Sequence, residues 1–453
     1  MQKLPHQLLD DLKGINGFNE KDFITVHSVS PVTSVRLNTA KHSDLFTGKE
    51  QVLWCPGGFY LKERPVFTID PAYHAGAYYV QEASSMFLDH LLRDILQDRK
   101  GLRVLDLCAA PGGKSTLIAS LLDKDSLLIS NEVIRTRASI LEENMTRWGY
   151  MNTWVTSNDP RDFGRIQGYF DVIVVDAPCS GSGLFRKDAR ALQEWSEANV
   201  QMCSERQQRI LADVWPALKE NGVLIYATCS YSPREDEQIL DWLAGNYDLS
   251  AIQVPLKEEW GIVPVISGKG MAGYRFFPDK IKGEGFFIAA MQKNEETETI
   301  YMPKFKTAHD KKIKDQAAYL LRNPDKLFIQ AGKEDFHAIE TSHEADLQML
   351  QKFVYMRKTG LKLGKPVAKE WLPDHEIALS IDANINLPGI DANWEQALHF
   401  LKREEMGLES TDKGWFIIHY NGLGLGWIKA LGNRTNNYLP KSWRIRMEVF
   451  DNE

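Results

Sequence analysis

Two cysteines, each directly after an apolar run, are the residues of this sequence best suited to covalent chemistry. Cys179 lies in the motif Asp-Ala-Pro-Cys-Ser-Gly, which begins at Asp176, and Cys229 lies in Thr-Cys-Ser, 50 residues later. A thiolate is a strong nucleophile even when only a small part of the thiol is ionised. A single cysteine is more often a small buried apolar residue. The paired positions after strand-like segments favour covalent chemistry on a pyrimidine ring.

Methylation of carbon 5 of cytosine is a reaction that needs such a thiol, because this carbon is a poor nucleophile. A thiolate that adds to carbon 6 makes an enamine, whose carbon 5 can attack the methyl group of a sulfonium donor. The adduct must then lose a proton from carbon 5 and expel the sulfur. An acid near N3 stabilises the charge that develops, and Asp176, at the end of the preceding strand, is placed for this role.

A loop of small residues upstream of both cysteines predicts a cofactor site. It follows a strand-like run and consists of Cys108, Ala109, Ala110, Pro111, Gly112, Gly113 and Lys114. The glycines let the backbone approach a ligand, and the amides at a helix start can bind a carboxylate. The amino-acid end of S-adenosylmethionine suits this site. A Walker phosphate loop is the alternative, but that motif needs a glycine where this chain has Cys108.

Acidic residues follow the next two predicted strands. Glu132 follows the strand 127–131, at a distance from the glycine loop where an acid commonly binds ribose hydroxyls. Asp159 follows the strand 153–157 and is placed to accept a hydrogen bond from an adenine amino group. Glu132 could equally be a carboxylate at a helix start, and Asp159 could be a turn residue before Pro160. The series of acids after successive strands favours the cofactor role.

Short apolar runs alternate with amphipathic segments from about 100 to 293, which is typical of an α/β fold with a parallel sheet covered on both faces. We predict strands at 103–107, 127–131, 153–157, 171–175 and 223–228, and helices near 114–122, 134–147 and 192–218. Segments 274–277 and 285–290 fit antiparallel edge strands. An open sheet binds ligands at the carboxyl ends of its parallel strands, and both cysteines lie there.

The length of 453 residues predicts about three domains. We assign residues 1–95 to a small α+β module, 96–293 to the catalytic domain and 300–453 to a C-terminal region. A polar stretch at 292–299 is predicted to be a linker. Cys55 and Cys203 are expected to be core residues.

The net charge of −7 argues mildly against a nucleic-acid partner, so the distribution of basic residues along the chain has to be examined. The C-terminal region holds two basic groups. The first comprises Arg357, Lys358, Lys362, Lys365 and Lys369, and the second comprises Lys429, Arg434, Lys441, Arg444 and Arg446, mixed with Trp427, Tyr438 and Trp443. Basic residues interleaved with aromatics can contact phosphates and stack on unpaired bases. The alternative is a solvated β-rich surface.

The five cysteines form no Cys-x-x-Cys pair and no cluster at zinc-ligand spacing, so neither a disulfide framework nor a structural metal is indicated. The N-terminus lacks the apolar stretch of a secretory signal, and no apolar run of about 18 residues could span a bilayer. We therefore expect a cytoplasmic protein with no metal and no membrane partner. A chain with accessory domains of its own can act as a monomer, which we also expect.

Three motifs in order resemble the signatures of the Sun/Fmu-type (NOL1/NOP2/Sun) RNA (cytosine-5)-methyltransferases. These motifs are the loop 108–114, the segment 176–181 and the segment Thr228–Ser230. The resemblance implies that Cys229 is the nucleophile and that Cys179 assists product release. DNA cytosine-5 methyltransferases instead use the cysteine of their Pro-Cys motif as nucleophile, so spacing alone does not make this assignment. The resemblance also implies that S-adenosylmethionine contacts residues 108–114, Glu132, Asp159 and Asp176.

Motifs near the C-terminus look like the tail of the bacterial ribosomal-RNA members of this family, whose last module is similar to PUA domains. They are Gly360–Lys365 with Trp371–Pro373, and Gly424–Trp427 with Tyr438–Lys441. The resemblance implies a Rossmann-like S-adenosylmethionine methyltransferase sheet, flanked by an N-terminal RNA-binding module and a PUA-like RNA-binding region. It implies carbon-5 methylation of cytosine in ribosomal RNA, most simply 16S.

Two alternatives stay open at this point. A transfer RNA could be the substrate of the same chemistry, or the chain could be a non-catalytic RNA-binding factor in ribosome assembly. The intact cysteine pair and the complete cofactor loop speak against the non-catalytic factor.

Overall fold

The first elements of the chain form a small sheet with short helices. The computed structural model describes residues 4–41, 45–300, 311–368, 370–408, 412–432 and 434–448. The elements before residue 100 are α1 (His6–Leu12), α2 (Glu20–Val26), β1 (Thr33–Leu37), β2 (Gly58–Leu61), α3 (Pro71–His74), β3 (Tyr78–Val80) and α4 (Phe87–Leu96). Strand β1 lies between β2 and β3 and pairs antiparallel with both. These elements match the α+β pattern predicted from the sequence.

The central part of the chain alternates strands and helices. Its elements are β4 (Arg103–Asp106), α5 (Gly113–Leu121), β5 (Leu127–Asn131), α6 (Arg135–Trp148), β6 (Thr153–Thr156), α7 (Pro160–Gly164), β7 (Phe170–Asp176), α8 (Ala189–Glu194), α9 (Glu197–Val214), β8 (Leu218–Thr228), α10 (Glu237–Asn246), β9 (Leu249–Ile252), β10 (Val263–Ile266), β11 (Ala272–Phe276) and β12 (Phe286–Lys293). All five predicted parallel strands are present, and both predicted edge segments are antiparallel strands.

The strand order of the central sheet places its ligand crevice. Neighbouring strands follow the order β10-β11-β12-β8-β7-β4-β5-β6, and β8 to β6 are mutually parallel. The chain order reverses between β4 and β7, and an open α/β sheet binds ligands at the carboxyl ends of the strands at such a switch point. Residues of β7 alternate between two apolar layers, with Val172 and Val174 in one and Ile173 and Val175 in the other. Both faces of the sheet are therefore buried.

The single helix predicted near 192–218 is divided in the structure. Helix α8 ends at Glu194, and α9 begins after Ser196, whose hydroxyl accepts a hydrogen bond from the Asn199 amide at 3.1 Å. A serine that caps a helix in this way favours a new start over continuation. The chain already enters β8 at Leu218, so the end of the predicted helix was also too late.

The C-terminal part contributes two further sheets and one strand to the central sheet. Its elements are α11 (Lys311–Ala317), β13 (Leu327–Ala331), β14 (Phe336–Glu340), α12 (Glu344–Leu350), β15 (Met356–Lys358), β16 (Leu361–Val367), β17 (Glu370–Pro373), α13 (His375–Leu379), β18 (Gly389–Asp391), α14 (Trp394–Lys402), β19 (Gly414–Tyr420), β20 (Leu423–Ala430) and β21 (Thr435–Asn437). The two sheets have the orders β13-β14-β16-β17 and β18-β19-β20-β21. Strand β15 pairs antiparallel with β6 and extends the central sheet.

The polar stretch predicted as a linker packs against the central domain over its described part. Strand β12 runs to Lys293, whose buried amine donates to the carbonyl oxygens of Trp215 and Leu218 at 3.3 and 3.1 Å. Beyond it, the Ile300 amide donates to the carbonyl oxygen of Gln167 at 2.9 Å. This stretch is therefore tied to the central domain through hydrogen bonds.

Candidate active site

The loop after β4 is shaped by glycine and by one buried acid. Gly112 has a φ of +116°, a left-handed conformation that favours glycine, and α5 begins at the next residue. A β-carbon on Gly113 would lie 3.3 Å from the ring of Tyr79. Asp106, at the end of β4, accepts a 2.6 Å hydrogen bond from the Ser115 hydroxyl. This bond ties the strand to the first turn of α5 and fixes the loop between them.

A cavity of about 470 Å³ lies beside this loop, at the switch point of the sheet. The predicted site residues on its wall are Cys108, Ala110, Glu132, Asp176, Cys179 and Cys229. Apolar and basic side chains complete the wall, among them Ile134, Pro160, Ile210, Arg137 and Arg209. The volume is within the usual range for small-molecule sites.

The two acids predicted to hold the cofactor differ in their surroundings. Glu132 is buried, and its two oxygens contact the Ile134 amide at 2.9 Å and the Arg137 guanidinium at 3.3 Å. Asp159 caps α7, and its other oxygen lies 3.4 Å from Arg209. Its neighbour Pro160 lines the 470 Å³ cavity, whereas Asp159 does not.

A second cavity, of about 360 Å³, adjoins the first. The two share Cys108, Ala110, Asp176, Leu184 and Cys229 on their walls. The second is otherwise lined by residues of three segments, 79–85, 109–114 and 284–286, including Gln81, Glu82, Pro111, Gly113, Lys114, Glu284 and Phe286. The acid Asp176 and the thiol Cys229 therefore stand between two spaces, one on each side.

Lys114 faces the second cavity rather than the first. Its Nζ lies 2.7 Å from Oδ2 of Asp176 and 5.1 Å from the ring centre of Phe286. Burial works to lower the pKa of Lys114, but the Asp176 carboxylate outweighs it, so the pKa is raised and the amine stays charged. The sequence grouped Lys114 with the cofactor loop, and no feature of the sequence indicated its side-chain direction.

The two cysteines come together because their strands are parallel neighbours in register. Asp176 of β7 is paired with Ala227 of β8, so the loops that leave the two strands run side by side. The sulfurs of Cys179 and Cys229 are 3.2 Å apart. The hydrogen bond with Cys229, together with burial, raises the pKa of the Cys179 thiol well above its usual value. Cys179 therefore keeps its proton and can donate it to a hydrogen bond with the Cys229 sulfur.

Buried contacts that the sequence reasoning missed join these two loops. The Gly183 amide donates to the carbonyl oxygen of Cys229 at 2.9 Å. Glu235, in the acidic run after the Thr-Cys-Ser motif, accepts hydrogen bonds from Ser180 and Ser230. The acidic run was visible in the sequence, but its direction toward the cysteines was not.

The other cysteines have the surroundings expected of non-catalytic residues. Cys55 and Cys203 are buried, and burial raises the pKa of Cys55 to about 12. Cys108 begins the loop after β4, and burial also raises its pKa. The neighbouring Ala109 amide donates to the carbonyl oxygen of Asn131 at 2.8 Å, which fixes the loop through its backbone.

The two basic groups of the C-terminal region differ in accessibility. In the first group, Arg357 pairs with Glu142 at 3.0 Å, and buried Lys358 pairs with Glu376. Lys362 of the same group has acidic partners as well. Lys369 lies outside the described residues. These contacts hold the C-terminal region together and to α6.

The second basic group is mostly exposed. Lys429 pairs with Glu370, whereas the four other cations of the group are exposed near the last elements of the chain: Arg434, Lys441, Arg444 and Arg446. Trp427 is buried, whereas Tyr438 is exposed beside these cations. The exposed cations form a surface that suits phosphate contacts.

Within the described ranges, no group of three or more His, Cys, Asp or Glu side chains is arranged to hold a metal ion. Nor does any helix in that part of the chain combine the length and apolar character needed to cross a membrane.

Three family models match successive parts of the chain. Residues 94–292 match the model described as 16S rRNA methyltransferase RsmB/F. Residues 4–83 match the N-terminal domain of 16S rRNA methyltransferase RsmF, and residues 388–445 match the methyltransferase RsmF PUA domain.

Curated relatives match the chain over almost its full length. A ribosomal RNA small subunit methyltransferase F from Shewanella piezotolerans is 30% identical over 455 residues, which cover 93% of this chain and 93% of the relative. A protein of the same name from Psychromonas ingrahamii is 29% identical, with 97% of each chain covered.

Among solved structures, a methyltransferase homologue from Pyrococcus horikoshii is 28% identical, with a TM-score of 0.51. The match covers 64% of this chain and 100% of that one. NSun6 from the same organism shares the fold, with a TM-score of 0.54, 19% identity, and coverage of 64% of this chain and 99% of that one.

Proposed function

We propose that this chain, which belongs to the 16S rRNA methyltransferase RsmB/F family, methylates carbon 5 of a cytosine through a transient bond to Cys229. The protein is an S-adenosylmethionine-dependent ribosomal-RNA methyltransferase. The observation that carries the proposed mechanism is the 3.2 Å separation of the Cys179 and Cys229 sulfurs. Methyl transfer to carbon 5 of cytosine needs a thiol that reaches the base beside the methyl donor, and Cys229 lies on the walls of both cavities.

The 470 Å³ cavity fits S-adenosylmethionine by volume and by chemistry. We assign residues 108–113, Glu132, Asp159 and Asp176 to cofactor binding. The loop backbone at Cys108 and Ala110, which lines this cavity, suits the amino-acid end of the cofactor, Glu132 suits the ribose hydroxyls, and the wall around Pro160 suits the adenine. Bound there, the cofactor supplies an electrophilic methyl group.

The 360 Å³ cavity is the proposed site of the flipped cytosine. When Cys229 adds to carbon 6, negative charge spreads to N3 and O2 of the ring. The Lys114 ammonium is placed to stabilise this charge, and Asp176, 2.7 Å from it, is the proposed acid near N3, because it can pass a proton from the ammonium to the ring. This environment makes carbon 5 nucleophilic toward the methyl group.

Cys179 is the proposed group for product release. After methyl transfer, carbon 5 loses its proton to a base, the electron pair forms the carbon 5–carbon 6 double bond, and the Cys229 sulfur leaves carbon 6 with its bonding pair. A Cys179 thiol at 3.2 Å can donate a hydrogen bond to this leaving sulfur. Without it, the adduct should persist.

We propose that residues 1–95 and 300–453 bind RNA on either side of the catalytic domain 96–293, in the cytoplasm where ribosomal RNA is modified. A groove of about 640 Å³ shares Val80 to Glu82 and Leu184 with the cytosine cavity, and it also exposes Arg64 and Lys187. Phosphates next to the flipped base would contact these two cations. The exposed basic group near the C-terminus would bind RNA farther from the target.

The test is methyl transfer from a tritiated donor to purified small-subunit ribosomal RNA, followed by denaturing gel electrophoresis. We expect Cys229→Ala to abolish transfer and to form no adduct. Cys179→Ala should leave a protein–RNA adduct that survives denaturation, and Cys55→Ala, a buried cysteine in the N-terminal module, should form none.

Each contrary outcome has a specific meaning. An adduct in Cys229→Ala would reverse the two roles, as in the DNA enzymes. No transfer by the wild-type protein to naked RNA or to assembled subunits would favour a non-catalytic RNA-binding factor.

A further inference from the structure

A buried carboxylate joins the two cysteine loops directly beside the sulfurs. Glu235 is fully buried, and its Oε1 accepts a 2.7 Å hydrogen bond from the Ser180 amide. Its Oε2 accepts hydrogen bonds from the hydroxyls of Ser180 and Ser230, both at 2.6 Å. Ser180 follows Cys179 and Ser230 follows Cys229. One side chain therefore links the residues next to both sulfurs.

Glu235 is itself held in place by neighbouring elements. The phenol of Tyr226 donates to the Glu235 carbonyl oxygen at 2.6 Å. The side-chain amide of Gln207 donates to the Pro178 carbonyl oxygen at 3.1 Å and approaches Oε1 of Glu235 at 3.4 Å. Burial raises the pKa of Glu235, whereas the surrounding hydrogen-bond donors favour its charged form. These contacts hold the Glu235 carboxylate in a fixed orientation, and both of its oxygens accept hydrogen bonds.

The position of Glu235 matters because it adds to a small set of direct bonds between the two loops. The Ser182 hydroxyl accepts a hydrogen bond from the Tyr231 amide at 2.8 Å and lies 3.3 Å from the Ser230 hydroxyl. The Ala177 amide donates to the Ala227 carbonyl oxygen at 2.8 Å, before the cysteines, and the Gly183 amide reaches the Cys229 carbonyl oxygen beyond Cys179. Between these two backbone bonds, the Glu235 contacts join the loops at the level of the sulfurs. The Glu235 charge also adds to the hydrogen bond and burial that raise the pKa of Cys179.

We propose that Glu235 is a positioning residue for product release: it fixes the Cys179 and Cys229 sulfurs at their 3.2 Å separation and keeps Cys179 as a thiol. This inference rests on the proposed function, in which the Cys179 thiol assists departure of the Cys229 sulfur. Glu235 acts through the two loops and does not contact the base. Its loss should therefore slow adduct breakdown more than RNA binding.

The first test is Glu235→Gln, which keeps the size of the side chain but removes its charge and part of its acceptor capacity. We expect kcat to fall at least about tenfold, KM for RNA to stay within about threefold, and the denaturation-resistant adduct to accumulate. Misplacement of a reacting group by about 1 Å can cost about 100-fold in rate. In a pH profile, the rate of adduct breakdown should begin to fall at a lower alkaline pH than in the wild type, because Cys179 would lose its proton more easily without the neighbouring charge.

Glu237→Gln is the matched control, because it alters a carboxylate two residues away. Glu237 pairs with Arg275 at 2.5 Å and has no contact with the cysteine loops among its described hydrogen bonds. We expect it to lower the melting temperature without adduct accumulation. A double Ser180→Ala, Ser230→Ala variant removes the same hydroxyl bonds while it leaves Glu235 intact, and it should also accumulate adduct.

Comparison with Cys179→Ala separates the two levels of the proposal. If Cys179→Ala forms no adduct, the cysteine roles fail and the inference on Glu235 fails with them. If Cys179→Ala accumulates adduct but folded Glu235→Gln and the double serine variant do not, only the role of Glu235 is overturned. That role is also overturned if the rate loss in Glu235→Gln only parallels the loss of folded protein.

Discussion

Replacement of Lys114 by methionine tests which cavity this side chain serves. The change removes a cation whose Nζ lies 2.7 Å from Asp176, and the Lys114 side chain is only 12% exposed. Loss of one preorganised group that stabilises developing charge costs about 100- to 1,000-fold in kcat, or about 2.7–4 kcal/mol. We expect a decrease of this size in the single-turnover rate of methyl transfer.

Measurements on S-adenosylmethionine and on RNA distinguish a role of Lys114 at the base from a role at the cofactor. Lys114 faces the cytosine cavity, so Lys114→Met should leave the Kd for S-adenosylmethionine, measured by calorimetry, within about threefold of wild type. Adduct formation with Cys229 should slow in parallel with methyl transfer, because the charge at N3 and O2 develops in that step. Lys114→Arg, which keeps the charge, should retain more activity.

The control is the double variant Lys114→Met, Asp176→Asn. The single variant leaves a carboxylate without its cation, which lowers stability, and the second substitution removes that charge. The melting temperature should therefore recover in the double variant while the activity does not. A rise of about tenfold in the Kd for S-adenosylmethionine, with an unchanged rate at saturation, would refute the assignment of Lys114 to the base.

Two further perturbations test a buried acid and the RNA groove. Burial raises the pKa of Asp106 to about 7, so the protonated form of this carboxyl stabilises the fold. The contribution to the free energy of unfolding is at most about 4 kcal/mol. It is complete below a pH of about 4 and is lost as the pH rises to about 7. The melting temperature of Asp106→Asn should therefore rise relative to wild type over this interval, and a constant difference would contradict the assignment. Replacing Arg64 and Lys187 by alanine should weaken RNA binding and reduce the slope of log K against log salt by about 0.7 for each lost phosphate contact. Lys100 and Lys124, exposed at the opposite edge of the sheet, are the matched controls, and an equal effect of their replacement would exclude a specific role for the groove.

The sequence located the strands and the residues at their ends because both signals are local. The run of apolar residues in β7 identifies a strand buried on both faces, and the small polar residues after it mark its end. Parallel strands carry their carboxyl ends to one edge, so the sequence alone could place Asp176, Cys179 and Cys229 in one crevice. The break between α8 and α9 was also local, at the Ser196 cap, but the prediction of one continuous helix overlooked it.

Contacts between distant segments were decided only by tertiary packing. The sequence held Glu235, Lys114 and the basic group around Lys358, but it gave no direction for their side chains. Packing turned Lys114 toward Asp176, placed Glu235 between the cysteine loops and paired Lys358 with Glu376. It also brought β15 to the edge of the catalytic sheet, although β15 and its partner β6 are far apart in the sequence.

The physical reason for this division lies in the range of the forces. Backbone propensity and the apolar period act within a few residues, so they fix the type and the ends of each element. A charged or hydroxyl side chain that becomes buried must find a partner, and that partner is supplied by whichever segment the fold brings near. The position of Cys229 directly after a buried strand could therefore be predicted from the local sequence, whereas the geometry that sets its sulfur 3.2 Å from Cys179 exists only in the folded chain.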